Sequence, residues 1–105
     1  MELFNLKYIL SNNDAVMLYF GGENCSVCKT LHPKIKKEFE KIFPKIKQFY
    51  IDIDEQREIA IESNVFVMPT IVIFFGGKEF IRKSRNLSVQ GFIDEVSRPY
   101  NLFFN

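Results

Sequence analysis

The sequence predicts an α/β fold in which a central mixed β-sheet is flanked by helices on both faces. Three observations support this prediction. Helical and strand patterns alternate along the chain, residues 16–20 are apolar on both faces as in a covered parallel strand, and the β-forming run 70–75 leads into a hairpin. A chain of 105 residues that is 47% apolar can form one domain, residues 1–105, around a single core.

The first half of the chain predicts two helices and two strands. The apolar spacing of Leu6, Ile9 and Leu10 indicates a short helix, which the polar run after it ends. The turn Gly21-Gly22 separates the first strand from a long helix, and Pro33 is expected to kink that helix. The predicted limits are helix 4–10, strand 16–20, helix 25–43 and strand 48–53.

The second half begins with a short helix that Asp54 is expected to cap and Asn64 to end. Gly76-Gly77 predicts a hairpin turn, and Pro99 is expected to interrupt the chain after the last helix. We expect the apolar tail beyond Pro99 to pack on the core, with an exposed contact patch as the alternative. The predicted limits are helix 55–63, strands 70–75 and 78–83, helix 88–97 and tail 100–104.

Charge and hydropathy argue against several functional classes. The net charge of +1 does not favour nucleic acid or an acidic membrane as a partner. The longest apolar stretch, Val65 to Phe75, is too short for a membrane span, and Pro69 interrupts it. The first residues lack a basic segment followed by an apolar one, so we expect no signal peptide. These observations predict a cytoplasmic protein, and we expect a monomer.

The only two cysteines form the motif Cys25-Ser26-Val27-Cys28 at the predicted start of the long helix. The partial positive charge at a helix N-terminus stabilises a thiolate, so Cys25 is a candidate nucleophile. The alternative is a pair of buried or metal-holding thiols. Structural zinc needs four ligands, and His32 is the only histidine, so a zinc site would lack a ligand unless a carboxylate joined. We therefore expect a redox-active Cys25–Cys28 pair with no metal and no other cofactor.

The chain resembles the thioredoxin family in three features, which occur at the spacing found in that family. These are the cysteine motif between a strand and a helix, Pro33 five residues after Cys28, and the sequence Val67-Met68-Pro69-Thr70 before the hairpin. Pro69 follows Cys28 by 41 residues, as in ordinary thioredoxins. The resemblance implies a thioredoxin fold in which the first β-strand is shortened or missing, because few residues precede the first helix.

The resemblance also implies how the site works. Cys25 would attack a substrate disulfide, and the more buried Cys28 would resolve the mixed disulfide. Pro69 would pack beside the sulfurs in the cis form, and the main chain of Met68 would bind an extended substrate segment. The residues implied to line the active site or contact substrate are Asn24, Ser26, Val27, Lys29, Met68, Pro69 and Thr70.

The implied function is a thiol-disulfide oxidoreductase that reduces protein disulfides. A thioredoxin-reductase-like flavoprotein or another dithiol protein would return the electrons. Two alternatives remain open: a disulfide oxidant or isomerase, and a thioredoxin-like accessory module that acts by docking with weak redox activity.

Several positions depart from the family pattern. Tyr19 and Tyr50 stand where thioredoxins carry a buried acid and a lysine, so deprotonation of Cys28 is expected to be slow or to depend on Glu23 or water. Asn24 replaces a tryptophan, and Arg85 replaces a glycine near the active site, which predicts altered partner recognition. His32 lies two helical turns from Cys25, too far for a hydrogen bond. It is expected to be a partly exposed helix residue, with a modest electrostatic influence on the thiols as the alternative.

Overall fold

A computed structural model of the chain describes residues 5–85 and 87–105. These residues form four helices and four strands, which follow the predicted order. They are α1 (Leu6–Asn12), β1 (Ala15–Gly21), α2 (Ser26–Ile42), β2 (Lys47–Asp52), α3 (Arg57–Glu62), β3 (Thr70–Phe75), β4 (Lys78–Ser84) and α4 (Val89–Phe103). In the described residues no strand precedes α1, and Phe4, which the helix prediction included, lies outside them.

The four strands form one mixed sheet in the order β2-β1-β3-β4. β1 is parallel to β2 and antiparallel to β3, and β3 and β4 form the predicted hairpin. Gly76 and Gly77 form the hairpin turn. Their φ angles are 61° and 80°, values that residues with a Cβ rarely adopt. β1 and β3 are the central strands, and every residue of both is buried.

Two apolar layers cover the sheet. On one face, α2 and α4 pack through aliphatic and aromatic side chains, including Ile35, Phe39, Phe92 and Val96. On the other face, α1 and α3 cover Val16, Leu18, Phe20, Ile51, Val72 and Phe74. The predicted arrangement with helices on both faces is therefore confirmed. In the part of the chain that the structure describes, no helix is long and apolar enough to cross a membrane.

The start of α3 differs from the prediction, because Asp54 is not its cap. The carboxylate of Asp52 instead accepts hydrogen bonds from the backbone N–H groups of Asp54 (2.9 Å) and Glu55 (3.2 Å). This arrangement forms a turn, and the helix begins only after Gln56. Asn64 follows the end of α3 with a φ of 58°, consistent with the predicted stop.

The prediction that Pro99 interrupts the last helix is wrong, since α4 continues through Pro99 to Phe103. A proline inside a helix removes one backbone hydrogen bond and crowds the preceding turn. Ring contacts beyond Pro99 offset this cost: Tyr100 lies 4.9 Å from Phe43, and Phe103 lies 5.5 Å from Phe75, between ring centroids. The hydroxyl of Tyr100 also accepts a hydrogen bond from the backbone N–H of Lys45 at 3.2 Å.

Candidate active site

The cysteine motif lies where β1 ends and α2 begins, at the carboxyl end of a central strand. Cys25 is the N-cap of α2, and its sulfur accepts a hydrogen bond from the backbone N–H of Cys28 at 3.2 Å. The two sulfurs are joined in a disulfide, with the Cα atoms 5.3 Å apart. Both sulfurs therefore lie within the first turn, where the helix dipole stabilises negative charge on sulfur once the bond is reduced.

The two cysteines differ in exposure. Cys25 retains 7% of its accessible surface and Cys28 only 2%, and both belong to the apolar layer beneath α2. The residues between and after them, Ser26, Val27 and Lys29, are exposed. A partner molecule therefore meets Cys25 first, while Cys28 faces the protein interior.

Hydrogen bonds within the loop before β3, and from this loop to the end of β4, hold it in place. The Met68-Pro69 peptide bond is cis, and the carbonyl of Pro69 accepts a hydrogen bond from the backbone N–H of Arg85 at 2.8 Å. The hydroxyl of Thr70 donates to the carbonyl of Val67 at 2.8 Å and lies 3.1 Å from the hydroxyl of Ser84. Thr70 is thus a buried support of the loop and does not reach the surface.

The structure brings this loop next to the cysteine helix. A groove of about 430 Å³ is lined by Val27 from the motif and by Val67, Met68, Pro69 and Arg85. Ser26 lines a neighbouring groove with Val27 and Leu87, whereas Asn24 is exposed and lines neither of these grooves. Three of the residues implied to contact substrate, Val27, Met68 and Pro69, line the same groove. Lys29 instead lines a separate cavity beside Cys28.

A cluster of three rings, Tyr19, His32 and Tyr50, lies beside Cys28. We call it the tyrosine-histidine cluster. Tyr19 and Tyr50 are register partners on β1 and β2, with ring centroids 5.6 Å apart. The imidazole of His32 lies 4.7 Å from the ring of Tyr19 and 4.6 Å from that of Tyr50. The sequence predicted His32 to be an ordinary helix residue, and its contacts with Tyr19 and Tyr50 were not predicted.

The electrostatics of the cluster follow from its burial. Burial, and secondarily the neighbouring Tyr50, raises the pKa of Tyr19 to about 12. Burial, and then the charge of Asp52, raises the pKa of Tyr50. Burial, and then the positive charge of Lys36, lowers the pKa of His32. All three groups are therefore neutral at neutral pH.

The hydroxyl of Tyr19 is buried and has no hydrogen-bond partner among the described residues. An unpaired buried hydroxyl costs free energy that a phenylalanine avoids. We therefore expect Tyr19→Phe to leave the free energy of unfolding unchanged or raise it by up to about 1 kcal/mol. Urea titration of the two proteins checks this, and a loss above about 1 kcal/mol would show that the hydroxyl is bonded.

The described residues show no metal centre. Within residues 5–85 and 87–105, no three histidine, cysteine or carboxylate side chains are grouped so that they could hold a metal ion. His32 packs between the two tyrosine rings, and the two cysteine sulfurs are bonded to each other. A disulfide at the N-terminus of a helix is suited to thiol-disulfide exchange.

Comparisons with known proteins agree with this geometry. The family model described as Thioredoxin matches residues 3–97. The thioredoxin-like protein YdfQ of Bacillus subtilis is 26% identical over 97% of this chain and 90% of its own length. Thioredoxin-1 of Saccharomyces cerevisiae is 31% identical over 67% of each chain.

Solved structures show the same fold. The structure of thioredoxin 1 from Thermosipho africanus superposes with a TM-score of 0.77 at 29% identity, covering 86% of this chain and 99% of that one. The family match, the fold and the paired cysteines agree with one another. The chain belongs to the thioredoxin family, and it is a thiol-disulfide oxidoreductase.

Proposed function

We propose that this protein reduces disulfides of other proteins in the cytoplasm, with Cys25 as the attacking thiolate and Cys28 as the resolving thiol. The observation that carries the proposal is the position of the Cys25–Cys28 disulfide, at a helix N-terminus and beside the Met68-Pro69 loop. The Cys25 sulfur attacks one sulfur of the substrate disulfide, and one substrate thiolate leaves. Cys28 then attacks Cys25, which releases the second substrate thiol and forms the Cys25–Cys28 disulfide.

The proposed reaction requires a second protein that reduces the Cys25–Cys28 disulfide, and it requires no bound cofactor. The substrate disulfide gains two electrons, which the dithiol loses, so another dithiol must reduce the Cys25–Cys28 disulfide after each turnover. A thioredoxin-reductase-like protein or a second dithiol protein fits this role. Because both cysteines of the chain lie in the motif, the fold itself uses no stabilising disulfide, which suits a reducing compartment.

The reduction potential of the Cys25–Cys28 pair tests the direction of the reaction. We expect a value of about −270 mV, in the range of a reductant, when the protein is equilibrated with glutathione buffers. A value between about −180 and −120 mV would instead indicate an oxidant or isomerase. The oxidised fraction can be counted by mass after alkylation of the free thiols.

Arg85 is expected to affect substrate choice at the groove beside Val27, Met68 and Pro69. It is exposed, has a φ of 61°, and its backbone N–H donates to the Pro69 carbonyl, which fixes the residue at the rim. We expect disulfide peptides with acidic residues beside the cysteine to be reduced faster than matched basic peptides. Arg85→Glu should reverse the preference, with a change of about two- to fivefold in kcat/KM that weakens as salt is raised.

A control for this test is Lys78→Glu, which makes the same charge change in the hairpin at the far end of β3. It alters the net charge of the protein without altering the groove. If both variants shift peptide preference equally, the effect is one of overall charge and Arg85 has no special role.

A further inference from the structure

Two members of the tyrosine-histidine cluster, His32 and Tyr50, share one cavity with Cys28. This space, of about 240 Å³, is lined by Gly22, Cys28, Lys29, His32, Pro33 and Tyr50. His32 follows Cys28 by four residues on α2, so the two side chains project from the same face of the helix. The cavity is large enough to hold several water molecules. It therefore connects the buried resolving cysteine to an imidazole.

Gly21 shows how close the hydroxyl of Tyr50 comes to the Cys28 sulfur. A Cβ added at Gly21 would lie 2.6 Å from the Tyr50 hydroxyl oxygen and 3.1 Å from the Cys28 Sγ. The distance between the Tyr50 hydroxyl oxygen and the Cys28 Sγ therefore cannot exceed the sum of these two distances. The glycine leaves a space that the hydroxyl and the sulfur both border.

The three groups of the cluster differ in what they can do with a proton. The hydroxyls of Tyr19 and Tyr50 keep their protons at neutral pH, because burial raises the pKa of both. The neutral imidazole of His32 has a free ring nitrogen, because its pKa is lowered. Of the three, only His32 can accept a proton under these conditions, while Tyr50 can donate a hydrogen bond to a thiolate.

We propose that His32 is the proton acceptor for Cys28 when Cys28 resolves the mixed disulfide, and that the Tyr50 hydroxyl donates a hydrogen bond to the resulting thiolate. The Cys28 S–H proton passes through cavity water to the imidazole, and the Cys28 thiolate attacks the Cys25 sulfur. The Cys25–Cys28 bond forms as the bond from Cys25 to the substrate breaks. The substrate thiolate leaves with the electron pair and takes a proton from solvent, and the imidazolium of His32 then returns its proton to solvent. The inference rests on the proposed roles of the two cysteines.

The charged and titratable groups around the cluster affect the pH range in which His32 can accept a proton. Lys29 lines the cavity, and Lys36 faces His32 from the next turn of α2. From β2, Asp52 acts on Tyr50. Beside Gly22, a carboxylate oxygen of Asp54 would lie 3.8 Å from an added Cβ, and one of Asp52 would lie 3.9 Å from it. Tyr19 is the titratable neighbour from β1.

The resolving step can be measured by itself with dithiobis(nitrobenzoate) as the probe, and with the reduced protein in excess. The first coloured thiolate is released by Cys25 in a reaction that depends on concentration. The second is released by Cys28 within the mixed disulfide and does not depend on concentration. The rates of both phases are followed as a function of pH by stopped flow.

For the parent protein, the second-phase rate should form a plateau that begins above the lowered pKa of His32 and ends where the Cys28 thiol itself ionises. In His32→Gln the rate at neutral pH should fall about tenfold or more, and the plateau should become a slope of about tenfold per pH unit. The first phase should not change. An unchanged second-phase profile in His32→Gln, or an equal loss in both phases, would overturn the proposal.

Two further variants, each with a matched control, keep the test independent of folding defects at His32. Lys36→Gln removes the positive charge that lowers the pKa of His32, so the acid end of the plateau should move to higher pH. Lys37→Gln, the same change on another face of α2, should not move it. Tyr50→Phe should slow the second phase several-fold, while Tyr8→Phe in α1 should not. A shift equal in Lys36→Gln and Lys37→Gln would also contradict the proposal.

The assay separates failure of this inference from failure of the proposed function. A parent protein that releases no coloured thiolate in either phase would contradict the proposed roles of Cys25 and Cys28. Two normal phases with no dependence on His32 would contradict only the role given to His32.

Discussion

Cys25→Ser is expected to reduce protein disulfides no faster than the uncatalysed reaction. The hydroxyl that replaces the sulfur does not ionise at neutral pH, so the first attack cannot occur. Cys25 is the more exposed of the two cysteines and caps α2, and the other thiol of the chain, that of Cys28, is more deeply buried, so we expect it not to replace Cys25. Insulin reduction with dithiothreitol as electron donor measures the loss.

Cys28→Ser is the matched control, since it makes the same atomic change one helical turn further on. With the proposed roles, this variant keeps the attacking thiolate but lacks the resolving thiol, so it should accumulate a mixed disulfide with the substrate. Non-reducing electrophoresis and intact mass detect that species. If Cys25→Ser forms the adduct and Cys28→Ser does not, the roles of the two cysteines are reversed. If the parent reduces no insulin, the alternative of a docking module is favoured.

Phe39→Ala is expected to cause the largest loss of stability. Phe39 is fully buried on α2, with its ring 4.9 Å from Phe43 and 5.5 Å from Phe92 on α4. Truncation removes these contacts and leaves a cavity between two helices, at a cost of about 3–5 kcal/mol. The melting temperature should fall by more than about 10 °C.

Thermal and urea unfolding followed by circular dichroism measure this change. Phe66→Ala provides the control, because Phe66 is 75% exposed and its truncation should change stability by less than about 0.5 kcal/mol. A similar small effect for Phe39→Ala would mean that α2 and α4 are not held together by this aromatic layer. Since α2 carries both cysteines, the layer also holds the site in place.

The elements that depend on local sequence could be predicted. The apolar strand β1, the double glycine of the hairpin and the polar stop at Asn64 are set by residues within a few positions of one another. The position of the cysteine motif at the start of α2 follows from the same kind of local pattern. The boundaries of the strands accordingly differ from the predicted ones by only a residue.

The features that the sequence did not reveal depend on contacts between distant segments. α4 passes through Pro99 because Tyr100 packs on Phe43 and bonds to the backbone of Lys45, 55 residues away. Helix propensity alone favours a break at that proline.

The tyrosine-histidine cluster is a second case of this kind. The sequence identified Tyr19 and Tyr50 as joint replacements of a charged pair but did not connect them with His32. The connection needs the parallel register of β1 and β2 and the packing of α2 across both strands. The spacing of four residues between Cys28 and His32 on one helix was the available signal.

The most direct test of the central claim is the stoichiometry of a single turnover. Reduced protein is mixed with insulin without any other reductant, and the free thiols and the Cys25–Cys28 disulfide are counted by alkylation and mass. We expect each protein molecule that becomes oxidised to release a pair of insulin thiols, with both sulfurs of the motif lost to alkylation together. Insulin thiols released while Cys25 and Cys28 stay reduced, or no release at all, would contradict the account.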